Sequence, residues 1–187
     1  MTRALYRSPL AALVPDGRTV RGLAFTDLTL ARRSGVKGPS TRQWLDDMGY
    51  RPLPPPNFAI RSSSGPLVVM LSESEALLLD AASRAALWSF ESGAAISPGV
   101  YPVARSEGTF WVAISGRTAP DMFACVCSVD LRPGSFRDLQ VAQTMIAKAS
   151  AIIIRDDAFG DPTFHVLGDI SLAPYLVGEL LTAAQSA

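Results

Sequence analysis

Apolar and polar positions change period several times along the chain. Two short apolar runs, Leu67-Val68-Val69-Met70-Leu71 and Phe110-Trp111-Val112-Ala113-Ile114, are unbroken and bounded by glycine, proline or serine. Runs of that length and β-branched or aromatic content predict buried strands over 67–71 and 108–115. Weaker patterns predict strands over 25–36, 57–61, 75–79, 84–90, 99–104 and 163–167. Between 40 and 48 the period lengthens, placing Trp44, Leu45 and Met48 on one face of a helix that Gly49 ends. Helices are also predicted from Thr118 through Cys127 and from Tyr175 to Ala184. Residues 140–148 and 151–155 read as a hairpin, while the composition of 139–149 equally suits a helix.

One joint recurs between these elements. Gly38-Pro39-Ser40 links a strand to a helix: glycine admits backbone angles closed to other residues, proline suits a first helical turn, and Ser40 or Thr41 can accept from an unpaired helix N–H. Gly116 with Thr118-Ala119-Pro120 repeats the step, as does Gly168 with Ser171-Leu172-Ala173-Pro174. Repetition of one unit predicts a single domain over 22–187 made of two intertwined halves, about 22–105 and 106–187. Residues 1–21, punctuated by Pro9, Pro15 and Gly17, have no sustained period and read as an extended or irregular arm. The arm carries Leu5, Tyr6, Leu10, Leu13 and Val14, so it is expected to be mobile until a partner or the domain surface covers it. The tract Pro52-Leu53-Pro54-Pro55-Pro56 predicts a stiff connector that no central strand could contain.

Composition narrows the function classes. Of 187 residues, 48% are hydrophobic and 18% charged, and the mean hydropathy is +0.22; some of that apolar surface is expected to face a partner. Seventeen basic residues balance seventeen acidic ones, so no whole-chain field draws in nucleic acid or an anionic membrane. No segment approaches the ~20 apolar residues of a membrane span, and the first residues lack a signal-like apolar core, which reads as a cytoplasmic protein.

Candidate chemistry is sparse. The joint at Gly38 lacks the converging glycine amides and the following lysine of a phosphate loop, although Lys37 and Arg42 flank it and could hold an anion. Ser72-Glu73-Ser74-Glu75 supplies paired carboxylates in a polar turn, and Asp156-Asp157 lies beside the turn Gly160-Asp161-Pro162 without the ligand spacing of a calcium loop. His165 alternates with apolar residues as a half-buried strand position. Cys125 and Cys127 lack partners at zinc-ligand spacing and read as reduced packing residues. Trp44, Trp88 and Trp111 read as core. No residue is assigned a catalytic, cofactor-binding or metal-binding role.

Several segments, in order, resemble the gamma subunit of heterotetrameric sarcosine oxidase, within the group sharing the fold of the glycine-cleavage T-protein. They are Gly35-Val36-Lys37-Gly38-Pro39 with Trp44-Leu45; Pro54-Pro55-Pro56-Asn57; Leu71 to Leu79; and Asp130-Leu131-Arg132-Pro133 with Phe136 and Val141-Ala142-Gln143-Thr144. The resemblance implies a duplicated α+β fold, antiparallel sheets flanked by helices, and the role of a non-catalytic subunit. The complex of that family oxidatively demethylates sarcosine to glycine and passes the one-carbon unit to tetrahydrofolate. The resemblance places FAD, FMN, NAD, tetrahydrofolate and zinc in the alpha, beta and delta partners, with no cofactor on this chain. A free-standing tetrahydrofolate-binding aminomethyltransferase-like protein, or the equivalent subunit of an N-methylglutamate dehydrogenase-like complex, is the alternative. The T-protein's acidic folate-contacting motif has no clear counterpart here.

Overall fold

A computed structural model describes residues 7–15, 18–62, 65–80, 97–158 and 160–186. The strand expected over 84–90, with Trp88, lies outside them. In chain order the elements are β1 Arg18–Val20, β2 Leu23–Asp27, β3 Arg32–Lys37, α1 Thr41–Asp47, β4 Phe58–Arg61, β5 Leu67–Ser72, β6 Glu75–Asp80, β7 Tyr101–Val103, β8 Thr109–Ser115, α2 Ala119–Ala124, β9 Val141–Ile146, β10 Ala149–Arg155, β11 Thr163–Asp169, a 3₁₀ turn Ile170–Leu172 and α3 Ala173–Ser186. The fold is α+β, and the chain forms two units. A central unit holds Ala31–Gly108 with Leu139–Val141; a composite unit holds Met1–Leu30, Thr109–Asp138 and Ala142–Ala187.

The central unit is a five-stranded sheet in the order β4-β5-β6-β3-β7. From β4 to β6 the chain meanders through antiparallel neighbours, and β3 is antiparallel to both β6 and β7. Every position of β5 from Leu67 to Leu71 is buried, as its unbroken apolar run requires. Leu45 of α1 packs among Val36, Val68, Met70 and Leu78, with Trp44 partly buried beside them. Burial of a leucine to this degree contributes about 1.5–3 kcal/mol. Met48, expected on the same face, instead sits at the helix C-cap and is 54% exposed. The helix turns away at Gly49, whose φ is +88° and whose N–H returns to the Asp46 carbonyl at 3.0 Å.

The composite unit repeats the plan. Its sheet runs β1-β2-β8-β11-β10-β9, with β8 antiparallel to β11 on one side and β2 on the other. In each unit, then, a strand leads through a glycine joint into a short helix, three strands meander back, and the far side is closed by β7 in the central unit and by β2 and β1 in the composite unit. The two closing strands of the composite unit come from the N-terminal part of the chain. The single strand expected over 25–36 is two strands, β2 and β3, in different sheets. The Asp27 carboxylate accepts the Thr29 amide at 2.9 Å, and Leu28 N–H donates to the Trp111 carbonyl at 2.8 Å, which ends β2 in a local turn.

Other boundaries also move. Residues 141–155 form the hairpin rather than a helix, turning through Ala147 and Lys148, both at positive φ. Helix α2 ends at Ala124, short of Cys127, and α3 starts at Ala173. The N-terminal segment is not simply extended. Leu10 and Val14 are buried in the composite unit's core with Phe25, Phe110 and Phe123, while residues 18–20 join the sheet as β1.

Candidate functional site

The joint that closes β3 is fixed by backbone contacts. Gly38 has φ +141°, and a Cβ there would lie 2.1 Å from the Gly99 carbonyl oxygen, so the close approach requires glycine. Gly38 N–H donates to the Ser74 carbonyl at 2.8 Å, and Ser40 N–H donates to the Gly99 carbonyl at 3.2 Å. The expected side-chain cap does not form: Ser40 makes no such bond, and the Thr41 hydroxyl donates to the Ser74 carbonyl at 3.2 Å. Thr118, the N-cap of α2, makes no side-chain cap bond either.

Two groups that the sequence singled out separately meet at this joint. Lys37 lies opposite Glu75 in the β3–β6 register, with Nζ 3.6 Å from Oε2. Arg105 Nη2 donates to the other oxygen, Oε1, at 2.6 Å. Arg42 Nε is 3.4 Å from Glu73 Oε2, and its Nη1 donates to the Pro54 carbonyl at 3.0 Å. Each cation that could receive an anion already faces a carboxylate, and each carboxylate that could move a proton faces a cation. An anionic ligand at this joint would compete with Glu73 and Glu75 for these cations.

The composite unit has a second polar cluster, on the face of its sheet turned from the aromatic core. Trp111 Nε1 donates to His165 Nδ1 at 3.1 Å, and the two rings meet edge to face with centroids 5.5 Å apart. His165 Nε2 lies 3.6 Å from Asp156 Oδ2, and both side chains are 12% exposed. An indole N–H can only donate, so Nδ1 is the bare nitrogen and the ring proton sits on Nε2, toward Asp156. Both ring nitrogens are thus engaged by neighbouring side chains. Neighbouring Arg155 clamps Asp157 through Nε and Nη2 and donates from Nη1 to the Phe136 carbonyl at 2.6 Å. The meeting of Asp156 with His165 was missed in the sequence. Pairing β10 with β11 around the Gly160 turn would have revealed it, since Asp156 N–H donates to the Thr163 carbonyl at 2.8 Å.

The remaining candidates scatter. Asp130 accepts from Arg132 Nε at 2.8 Å, Arg132 Nη2 at 2.9 Å and the Ser135 hydroxyl at 2.8 Å. The arginine side chain, then the serine, hold this exposed carboxyl well below the usual carboxylate range. Cys127 is buried in the core as expected, but Cys125 is exposed. A buried cation was also missed: Arg33, 1% exposed, donates to the carbonyls of Ala31, Arg105 and Ser106 at 2.9, 3.2 and 2.9 Å. Among the described residues, no three His, Cys, Asp or Glu stand together as a metal site, and no helix is long and apolar enough to cross a membrane.

No family model and no curated protein matches the sequence. Solved structures do. A chain of the heterotetrameric sarcosine oxidase from Corynebacterium sp. U-96 superposes with a TM-score of 0.77 at 20% identity, covering 98% of this chain and 97% of that one. The aminomethyltransferase T of the glycine cleavage system from Bartonella henselae superposes with a TM-score of 0.63 at 17% identity, covering 89% of this chain but 50% of that one. The chain thus spans half the length of the second protein and nearly the whole of the first. Its two antiparallel sheets and short helices are the T-protein-like fold, shared with a sarcosine oxidase subunit.

Proposed function

We propose that the chain is a non-catalytic gamma-type subunit of a sarcosine oxidase-like heterotetramer, whose partners carry out the oxidative demethylation and the one-carbon transfer to tetrahydrofolate. The observation that carries this reading is the end-to-end match, 98% of this chain against 97% of a chain of such an oxidase. The aminomethyltransferase T chain is twice as long as the region shared with it. The pairing of Lys37 and Arg42 with Glu75 and Glu73 supports the same reading, since it spends the joint's charges on the fold. FAD, FMN, NAD, tetrahydrofolate and zinc then belong to the alpha, beta and delta partners, and the site of action is cytoplasmic. Co-expression with the proteins encoded beside it tests the reading. The expected result is co-elution with a flavin-containing alpha-type chain in size-exclusion chromatography, and elution of the chain apart from every flavoprotein overturns it.

The T-protein likeness favours a second reading, a free-standing tetrahydrofolate-binding protein. Calorimetric titration of the isolated chain with tetrahydrofolate separates the two. Saturable micromolar binding by the isolated chain would favour the second reading; absence of heat would remove it.

A further inference from the structure

Around the chain's one histidine, one hydrogen bond depends on the protonation state of the ring. Trp111 Nε1–H donates to Nδ1 at 3.1 Å, which requires that nitrogen to be bare. Asp156 Oδ2 stands 3.6 Å from Nε2, the nitrogen that carries the proton of the neutral ring. A proton added to the ring goes to Nδ1 and points an N–H at the indole N–H, and two donors cannot share one bond. We propose that Trp111, His165 and Asp156 form a proton-sensitive latch, in which charging His165 releases the Trp111 indole and strengthens the pair with Asp156.

The placement gives the latch leverage. Trp111 is 1% exposed and lies on β8, between β2 and β11; its carbonyl also accepts from Leu28 N–H and from the Thr29 hydroxyl, where the chain leaves β2. A released indole N–H must find another acceptor in a buried setting, so the side chain or its strand has to shift. Among the strands that flank the ring, β8 places Trp111, Ala113 and Ser115 on this face, and β11 places Thr163 and Leu167, none of which titrates in the relevant range. Ile154 of β10 lies opposite His165. Among the described residues of these strands and the two residues that follow β10, the charged groups are Asp156, whose Oδ1 accepts the Ala158 N–H; Asp169 at the far end of β11, engaged by Ser171; Asp27 at the end of β2, engaged by Thr29; and Arg155 with Asp157, locked to each other. Asp156 is the partner within reach.

The test tracks the indole N–H signals of the full chain, labelled with ¹⁵N-tryptophan, from pH 8 to pH 5, the range in which imidazoles take up a proton. Trp111→Phe assigns the signal. The expected result is that the Trp111 indole resonance moves with the same midpoint as the His165 ring protons. In His165→Gln, whose carboxamide oxygen accepts the indole N–H at every pH, it should stay fixed. A Trp111 signal that stays still while His165 titrates, that moves equally in His165→Gln, or a ring that stays neutral until the protein unfolds, would each overturn the latch. If Trp111→Phe does not fold, the signal that His165→Gln perturbs identifies Trp111.

Discussion

Single side chains carry more of this fold than their sequence context suggests. Arg33 is the clearest case: it is one of two adjacent arginines in the run Ala31-Arg32-Arg33-Ser34, and its guanidinium closes three carbonyls from two segments. Its planar fork reaches all three, whereas a lysine ammonium is a point donor. Arg33→Ala is therefore expected to lower the unfolding free energy by about 3–5 kcal/mol, and Arg33→Lys to recover less than half of it, in urea titrations followed by circular dichroism. Full recovery by lysine would show that charge alone matters there. Tyr50 is a second case. Burial, and then the nearby Asp80 charge, push its phenol above the ordinary tyrosine value. The folded chain holds that proton more tightly than the unfolded chain, so the contribution is intact below pH ~10 and is lost as pH climbs above it. Tyr50→Phe should flatten the fall in stability above pH 10 and leave neutral behaviour little changed; an unaltered alkaline slope would count against the shift.

At the scale of elements, the legible part of the sequence was whatever a local pattern encodes. The strand–glycine–helix joints at Gly38 and Gly116, the helix end at Gly49 and the buried strands β5 and β8 each follow from periodicity or from a residue with special backbone freedom. The third expected joint differs: Gly168 is a residue of β11 with no positive φ, and the Asp169 side chain caps the turn that follows by accepting the Ser171 N–H. The illegible part depended on partners distant in the chain. The Asp27–Thr29 turn that splits 25–36 into β2 and β3 leaves only a polar dipeptide in the sequence, and the ambiguity over 139–149 was resolved by the pairing of β9 with β10. The glycines make the point quantitative. Gly38→Ala would drive a Cβ to 2.1 Å from a backbone oxygen at a φ of +141°, and should cost about 3 kcal/mol or more. Gly178, inside α3 with nothing within 4 Å of an added Cβ, should stabilise by about 0.5–1 kcal/mol when changed to alanine. Lys148 sits exposed at φ +67° in the two-residue turn between β9 and β10, and Lys148→Gly should relieve about 1 kcal/mol of left-handed strain. Melting temperatures of the three variants order them directly, and a Gly38→Ala chain as stable as the parent would mean the joint tolerates a different backbone.

For the whole molecule, the duplication was legible and the exchange of segments within it was not. Each joint announces itself locally, but nothing in residues 18–27 says that they close the sheet built around β8 rather than pair with β3, the next strand in the chain. The same reason hid the role of the first residues. Leu10 and Val14 show no period of their own, because two anchors set on a single turn need none: Leu10 accepts the amides of Leu13 and Val14 at 2.9 and 2.8 Å and points into a core assembled by other elements. Deleting residues 1–21 would therefore remove β1 and two core side chains together, and any loss of partner binding would be inseparable from loss of folding. A point substitution is cleaner. Leu10→Ala, at a fully buried position, is expected to cost about 2–5 kcal/mol in the isolated chain, whereas Leu30→Ala, at a position 60% exposed, should change stability by less than about 0.5 kcal/mol. Urea midpoints of the two variants against the parent check this. If Leu10→Ala leaves the midpoint where it was, the N-terminal segment lies on the molecule without supporting it, and its apolar side chains are available to a partner.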